Sequence, residues 1–281
     1  MRNLTPSLLD AKTIFQNIID SKRPPRKQRL VNMVARVRSR FDLYQTSKTS
    51  LHRLPKISYN EEEQCDLEDC YLGATFALQE LLADIKKSQE DAIQGQCQYC
   101  GILSPDTFDH YLPKSQYPEF SAFALNLLPC CQKCNGKKST IFLVSGERQF
   151  LNLYFDILPQ TKFLNVKLTK WKESSIANYW LDFSSCISTD TQKLVECHYK
   201  RLELLERYRE KSPEALSEMR SWIQCHHRNS SVEKIQEYLK DEANRLANRF
   251  SPNYWKAVLH LELSINIEFI KECQLATPLN S

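Results

Sequence analysis

Apolar residues recur at helical spacing through the first ninety positions of the chain. Leu8, Leu9, Ile14, Phe15, Ile18 and Ile19 mark one face of a first helix. Pro24-Pro25 stops it, because proline lacks the amide hydrogen and its ring crowds the preceding turn. Leu30, Val31, Val34, Val37 and Phe41 predict a second helix, and the polar, proline-marked stretch from Leu51 to Glu63 reads as a loop. After it, Tyr71, Leu72, Leu78, Leu81, Leu82 and Ile85 predict one longer amphipathic helix. Residues 163–169 and 178–183 alternate apolar and polar side chains, the pattern of a small hairpin. Helices resume near Asp190. Ser212-Pro213-Glu214 and Ser251-Pro252 each set a capping hydroxyl before a proline suited to a first turn, predicting two helix starts. There is no repeat period and no low-complexity tract, which argues against a solenoid or a disordered scaffold.

Five glycines are few, and none follows Gly146, so the C-terminal half suits helices joined by polar turns. The expected fold class is mainly α with a small α+β module. Its regions are an N-terminal helical region, 1–95, a cysteine module, 96–145, and a mostly helical C-terminal region, 146–281, with surface for docking a partner. At 281 residues and 42% hydrophobic, the chain is long and apolar enough to bury a sizeable core. No apolar run approaches the roughly 20 residues a membrane span requires.

A balance of 38 basic against 34 acidic residues is too mild to prove a nucleic-acid partner, but the charge is unevenly placed. Eight Lys or Arg and no acid lie between Lys22 and Arg40, whereas Glu61, Glu62, Glu63, Asp66, Glu68 and Asp69 crowd the stretch 61–69. Each run reads either as a solvated face or as a contact surface for nucleic acid or a partner. Eleven cysteines, an odd number, with paired spacings and no signal peptide ahead of them, point to a reduced, cytoplasmic protein and not to a disulfide framework.

The chemistry concentrates between Gln96 and Lys138. Cys97-Gln98-Tyr99-Cys100-Gly101 and Cys131-Gln132-Lys133-Cys134 are two C-x-x-C knuckles, whose spacing turns both thiolates toward one tetrahedral ion. Four thiolates close the coordination sphere, so this zinc is structural and offers no open position to a water nucleophile. Cys130 complicates the count: the preferred spacing favours Cys131, but a C-x-x-x-C pair with Cys134 is also open. Thirty residues separate Cys100 from Cys131, enough to hold a site within the staple. Among them, Thr107 and Phe108 lead into Asp109-His110-Tyr111-Leu112-Pro113-Lys114, a short strand ended by proline. Strand neighbours face opposite sides, so Asp109 and His110 address different targets unless the strand twists.

Taken together, Cys97 to Gly101, Asp109-His110, Asn126-Leu127-Leu128-Pro129 and Cys131 to Lys138 resemble the zinc-bearing HNH nucleases of the ββα-metal type. The resemblance implies a ββα-metal core stapled by zinc at Cys97, Cys100, Cys131 and Cys134 and flanked by helical regions. It implies that His110 is the general base that activates water, that Asp109 and Asn135 hold one catalytic divalent ion, magnesium or manganese, and that Asn126 fixes the loop between the two strands and supports His110. The third family letter is Asn135 here in place of histidine, which favours a hard, oxygen-liking ion. A helix from about Gln132 would carry Asn135 against the strand bearing Asp109 and His110. Lys114, Lys137 and Lys138 either contact phosphate or are simply solvated.

The wider pattern, with His198 to Leu204, Arg207-Tyr208 and Asn253-Tyr254-Trp255 in the helical tail, is similar to the PtuB-like HNH subunits of Septu-type antiphage defence, some of them retron-associated. That resemblance implies an ABC-type ATPase partner and, in the retron setting, a reverse-transcriptase complex. The expected function is that of a metal-dependent endonuclease acting on DNA or RNA as a toxic effector. His198, Arg201, Arg207, Trp222 and Trp255 are read as helix packing and solvated charge, outside the site. A noncatalytic zinc module that binds nucleic acid or an assembly partner is the alternative, and it gives Asp109, His110 and Asn135 no task.

Overall fold

The computed structural model describes residues 1–171 and 174–275, and it is mainly helical with short antiparallel hairpins. The chain divides into two compact units, one spanning Arg2–Ile157 and the other beginning at Leu158. The first unit takes in both the N-terminal helices and the cysteine module.

In the first unit, α1 (Ala11–Asp20) is capped by the Asp10 side chain, which accepts from the Thr13 amide, and it buries Ile14, Phe15, Ile18 and Ile19. Leu8 and Leu9 precede the cap and are exposed, so they do not extend the stripe. The long helix α2 (Arg26–Thr46) buries Leu30, Met33, Val37, Phe41 and Tyr44. Val31 lies on its exposed side. Leu30, Val37 and Phe41 thus bury as the pattern predicts, while Met33 and Tyr44, not Val31, complete their face.

A second departure is the predicted long helix at 71–85, which is two helices. α3 (Glu61–Leu72) begins in the expected loop, where Asn60 and Glu63 form a reciprocal capping box. It ends at Gly73, and α4 (Phe76–Lys87) restarts on the Thr75 cap. Gly73 has no room for a Cβ: the Lys22 ammonium and the Asp69 carbonyl crowd the position where it would stand. Tyr71 and Leu72 therefore end one helix instead of opening the next.

The basic and acidic runs meet each other. Asp66, buried on α3, accepts from Arg26 Nε at 2.9 Å and Arg29 Nε at 2.6 Å, while Asp69 pairs with Lys22 and Arg26. These hydrogen bonds, opposed by the cost of burial, hold the Asp66 carboxyl below the usual carboxylate range. Arg40, at the far end of the run, is buried against Glu119 at 2.8 Å.

After the single-turn α5 (Asp91–Gln94), β1 (Thr107–His110) pairs antiparallel with β2 (Leu127–Cys130), with Asp109 opposite Leu128 and His110 opposite Leu127. α6 (Gln132–Lys138) follows at once and packs on β1. β3 (Leu143–Val144) and β4 (Glu147–Arg148) close a tight hairpin through Ser145 and Gly146, both at positive φ. The loop between β1 and β2 is anchored on α2: Phe41 stacks on Phe123 with centroids 4.4 Å apart, and Tyr44 meets Phe120 and Phe123 edge-on. Burying each of these rings stabilises the unit by roughly 1.5–3 kcal/mol.

In the second unit, β5 (Leu164–Trp171) and β6 (Ser174–Leu181) form the expected hairpin, packed by α8 (Leu204–His226) and by α10 (Trp255–Ile265). α7 (Thr189–Arg201), capped by Ser188, precedes them, and α9 (Val232–Arg249) and α11 (Ile267–Leu275) complete the unit. Pro213 does not start a helix but lies inside α8. Arg207, Tyr208, Ala215, Leu216 and Met219 bury on both sides of it, and that continuous packing outweighs the roughly 3 kcal/mol cost of an interior proline. Ser212 turns its hydroxyl to the Tyr208 carbonyl instead of capping. Ser251-Pro252 forms the turn before α10, which begins three residues further on. His198, Arg207 and Trp255 are buried in this unit, and Trp222 stacks on Tyr238.

Candidate functional site

The two knuckles converge. Sγ atoms of Cys97, Cys100, Cys131 and Cys134 all lie within 4.8 Å of one another, and every one of these residues is buried. The first knuckle turns because the amides of Cys100 and Gly101 both bond back to the Cys97 carbonyl, and Gly101 adopts φ +65°, where a side chain would be strained. The second is the N-terminus of α6: Cys131 is its N-cap and Cys134 its first-turn residue, with Asp106 accepting from the Gln132 amide. A tetrahedron with zinc–sulfur arms of about 2.3 Å has sulfur–sulfur edges of about 3.8 Å. The Cys100–Cys131 separation is 3.9 Å, so the donor set fits a four-thiolate ion. Hydrogen bonds among the thiols hold Cys100 well below the ordinary thiol range and push Cys97 above it. Cys130 lies outside the cluster, in β2 opposite Thr107, and burial pushes its thiol up.

Within the staple, alternation along β1 sends Asp109 and His110 to opposite sides. His110 is half-buried. Its Nε2 stands 2.8 Å from the Ser121 carbonyl, and Tyr71 meets the ring edge-on at 4.5 Å. A carbonyl accepts only from N–H, so Nε2 carries the proton and Nδ1 presents the basic lone pair of a neutral imidazole. Burial pushes this imidazole down to about 4, against the opposing pull of the Ser121 hydrogen bond and the Asp109 charge. Ser121 is itself tied to α3 through its hydroxyl, which donates to the Leu67 carbonyl.

Asn126 is fully buried and makes four side-chain bonds: Oδ1 accepts from the Leu112 amide at 2.8 Å and the Tyr44 hydroxyl at 3.3 Å, and Nδ2 donates to the carbonyls of Leu112 and Phe120. It cross-links both ends of the loop that carries Ser121. Asn126→Ala is expected to lower stability by about 2–4 kcal/mol, since it strands several buried groups at once. Denaturant titration of the two proteins checks this; an unchanged midpoint would deny Asn126 that part.

Asn135, on α6, donates from Nδ2 to the Phe108 carbonyl at 3.3 Å, which brings it to the strand bearing Asp109 and His110. Asp109 departs from the expected arrangement. It is 1% exposed, and its two oxygens are engaged: Oδ1 accepts from Lys138 Nζ at 2.9 Å and Oδ2 from the Tyr99 hydroxyl at 2.8 Å. An ammonium and a phenol thus stand against both oxygens of the carboxylate expected to hold a divalent ion. Lys138, expected at the phosphates or in solvent, is fully buried because it answers Asp109 and the His110 carbonyl. Lys137 is half-buried at the end of α6. Lys114 lies 5.5 Å over the ring of Tyr71, beside His110. Sequence reasoning missed Tyr99, Tyr71 and Ser121. Tyr99 sat in plain view inside the first knuckle, but Ser121 acts through its backbone and leaves no signal.

Residues 97–140, which hold the four cysteines, Asp109, His110, Asn126, Asn135 and Lys138, match the family model described as HNH endonuclease, so this segment is an HNH endonuclease domain. Over a longer stretch the chain is similar to Protein ea31 of Escherichia phage lambda, 30% identical over 190 residues, which make up 63% of this chain and 64% of ea31. It is also similar to the Septu protein PtuB of Bacillus thuringiensis, 36% identical over 61 residues, 20% of this chain and 24% of PtuB. The chain spans less than two thirds of the length of these relatives. No solved structure matches it. No helix among the described residues is long and apolar enough to cross a membrane.

Proposed function

We propose that the chain is a metal-dependent endonuclease that hydrolyses phosphodiester bonds of nucleic acid, with DNA favoured and RNA, tRNA included, within reach of the same chemistry. The observation that carries this reading is the anchoring of His110 Nε2 on the Ser121 carbonyl, which aims a neutral Nδ1 out of the strand as a general base. The imidazole takes a proton from water as it attacks phosphorus, and the carbonyl stabilises the imidazolium that forms. A divalent ion, magnesium or manganese, would neutralise the phosphoryl and departing 3′ oxygens when bound. Asn135, close to β1, offers an oxygen-donor side chain for it, and Lys114 is the lysine beside His110. Attack by water needs no 2′ hydroxyl, so the sugar does not decide the substrate.

The likeness to a Septu protein supports a role as the toxic effector of an antiphage defence system, regulated by an ATPase partner. One observation favours the noncatalytic alternative: Lys138 and Tyr99 occupy the carboxylate expected to hold metal. That alternative leaves the anchored imidazole unexplained. Supercoiled plasmid and total RNA, incubated with the zinc-loaded protein and magnesium or manganese, with and without a coexpressed partner, test the reading; intact substrates in every arm would overturn it.

The acid limb of cleavage supplies a sharper expectation. With the His110 imidazole pushed down to about 4, the base stays unprotonated well below the ordinary histidine range, so cleavage at saturating metal should hold as pH falls from 7 to about 5. Stability moves oppositely: between about 6.5 and 4 the unfolded chain binds the proton that native His110 refuses, so the fold weakens as pH falls through that window. A cleavage rate that halves near pH 6.5 would contradict this assignment.

A further inference from the structure

Lys138 and Asp109 are both buried, each bonded to the other, and each reaches a different part of the site. The lysine, at the last turn of α6, also donates to the His110 carbonyl at 2.8 Å and lies 5.9 Å over the ring of Phe150. The aspartate also accepts from Tyr99, one of the two residues between the zinc-knuckle cysteines Cys97 and Cys100. One carboxylate thus joins the first knuckle, the strand of the candidate base and the helix of the second knuckle. A buried carboxylate already matched by an ammonium and a phenol has its charge compensated, and a divalent ion there would have to expel Lys138 into a site closed to solvent.

We infer that Lys138, and not a divalent ion, is the cation that Asp109 serves, and that Tyr99, Asp109 and Lys138 are positioning residues that hold His110 in register with the zinc knuckles. The inference rests on the nuclease reading for the role of His110, but the pairing itself does not. Tyr99 transmits the set of the first knuckle to the backbone beside the base. Lys138, through the His110 carbonyl, fixes the peptide that aims the imidazole.

The test is a double-mutant cycle on the zinc-loaded full chain with Asp109→Asn, Lys138→Met and the double variant, reading melting temperature and manganese affinity by calorimetry. Each single variant strands a buried partner and should melt well below the parent, whereas the double variant should melt no lower than the worse single one. Manganese affinity of the double variant should stay near that of the parent. Orienting groups outside a metal's own ligands are worth about 10–100-fold in affinity. A loss of at least that size on Asp109→Asn, together with tighter binding by Lys138→Met, would show that the metal competes for Asp109 and would overturn the inference. Additive losses in melting would also overturn it. Tyr99→Phe, which keeps the ring and removes only the hydroxyl, guards against variants that fail to fold: it should shift the His110 ring-nitrogen resonances while zinc remains bound, and unmoved resonances count against a positioning role. Failure of manganese to bind the parent at all would sink the metal-dependent reading instead, and the melting cycle would still judge the pair.

Discussion

His110→Ala is expected to slow strand cleavage by about 10²–10⁴-fold, the usual worth of a positioned general base, while the fold survives. The ring is half-buried, and its polar contact is one hydrogen bond to the Ser121 carbonyl, with Tyr71 against its edge. Loss of that bond and of one ring contact costs stability only modestly, whereas loss of Nδ1 removes the group that takes the proton. Cleavage rates and melting curves measured on the same preparations at equal zinc content separate the two effects. Parent-like cleavage by the variant would reject His110 as the base, and collapse of the fold would recast it as a structural residue.

The second large effect concerns the cysteine cluster. Stripping its metal, or changing Cys134 to Ser, is expected to unfold the module, because structural zinc in small scaffolds contributes about 10–16 kcal/mol, which equals or exceeds the whole stability of a typical domain. Two four-residue strands and a seven-residue helix meet around the four sulfurs, so the ion ties together elements too short to hold one another. Cys130→Ser is the control, since that thiol lies outside the cluster and should leave zinc content unchanged. Metal content and hydrogen exchange across β1 and β2 check both variants. Full protection of those strands after removal of the metal would dismiss the structural role of the ion.

Much of this was legible because the signals were local. Paired cysteines two apart declare their geometry, and alternation at 163–183 announces a hairpin whatever surrounds it. The failures have a common physical origin in tertiary context. Gly73 ends an apparently continuous helix at a place where Lys22, far away in the sequence, leaves no room for a side chain. Pro213 fails to start a helix because residues on both sides of it are buried along one face. Lys138 read as a lysine for phosphate or for solvent, whereas the fold sets it against Asp109. The sequence boundaries at 95 and 145 follow composition, whereas the compact units divide at 157, since the aromatic face of α2 packs on the loop of the HNH domain.

The ion pairs between α2 and α3 bear on how tightly such a protein can grip its substrate. Binding to a polyanion draws most of its strength from counterions set free as lysines and arginines replace them, and each such replacement steepens the dependence on salt. Lys22, Arg26, Arg29 and Arg40 already face carboxylates of their own chain. Their ionic pull is therefore turned inward, and the slope of affinity against ionic strength should be shallower than a run of eight cations suggests.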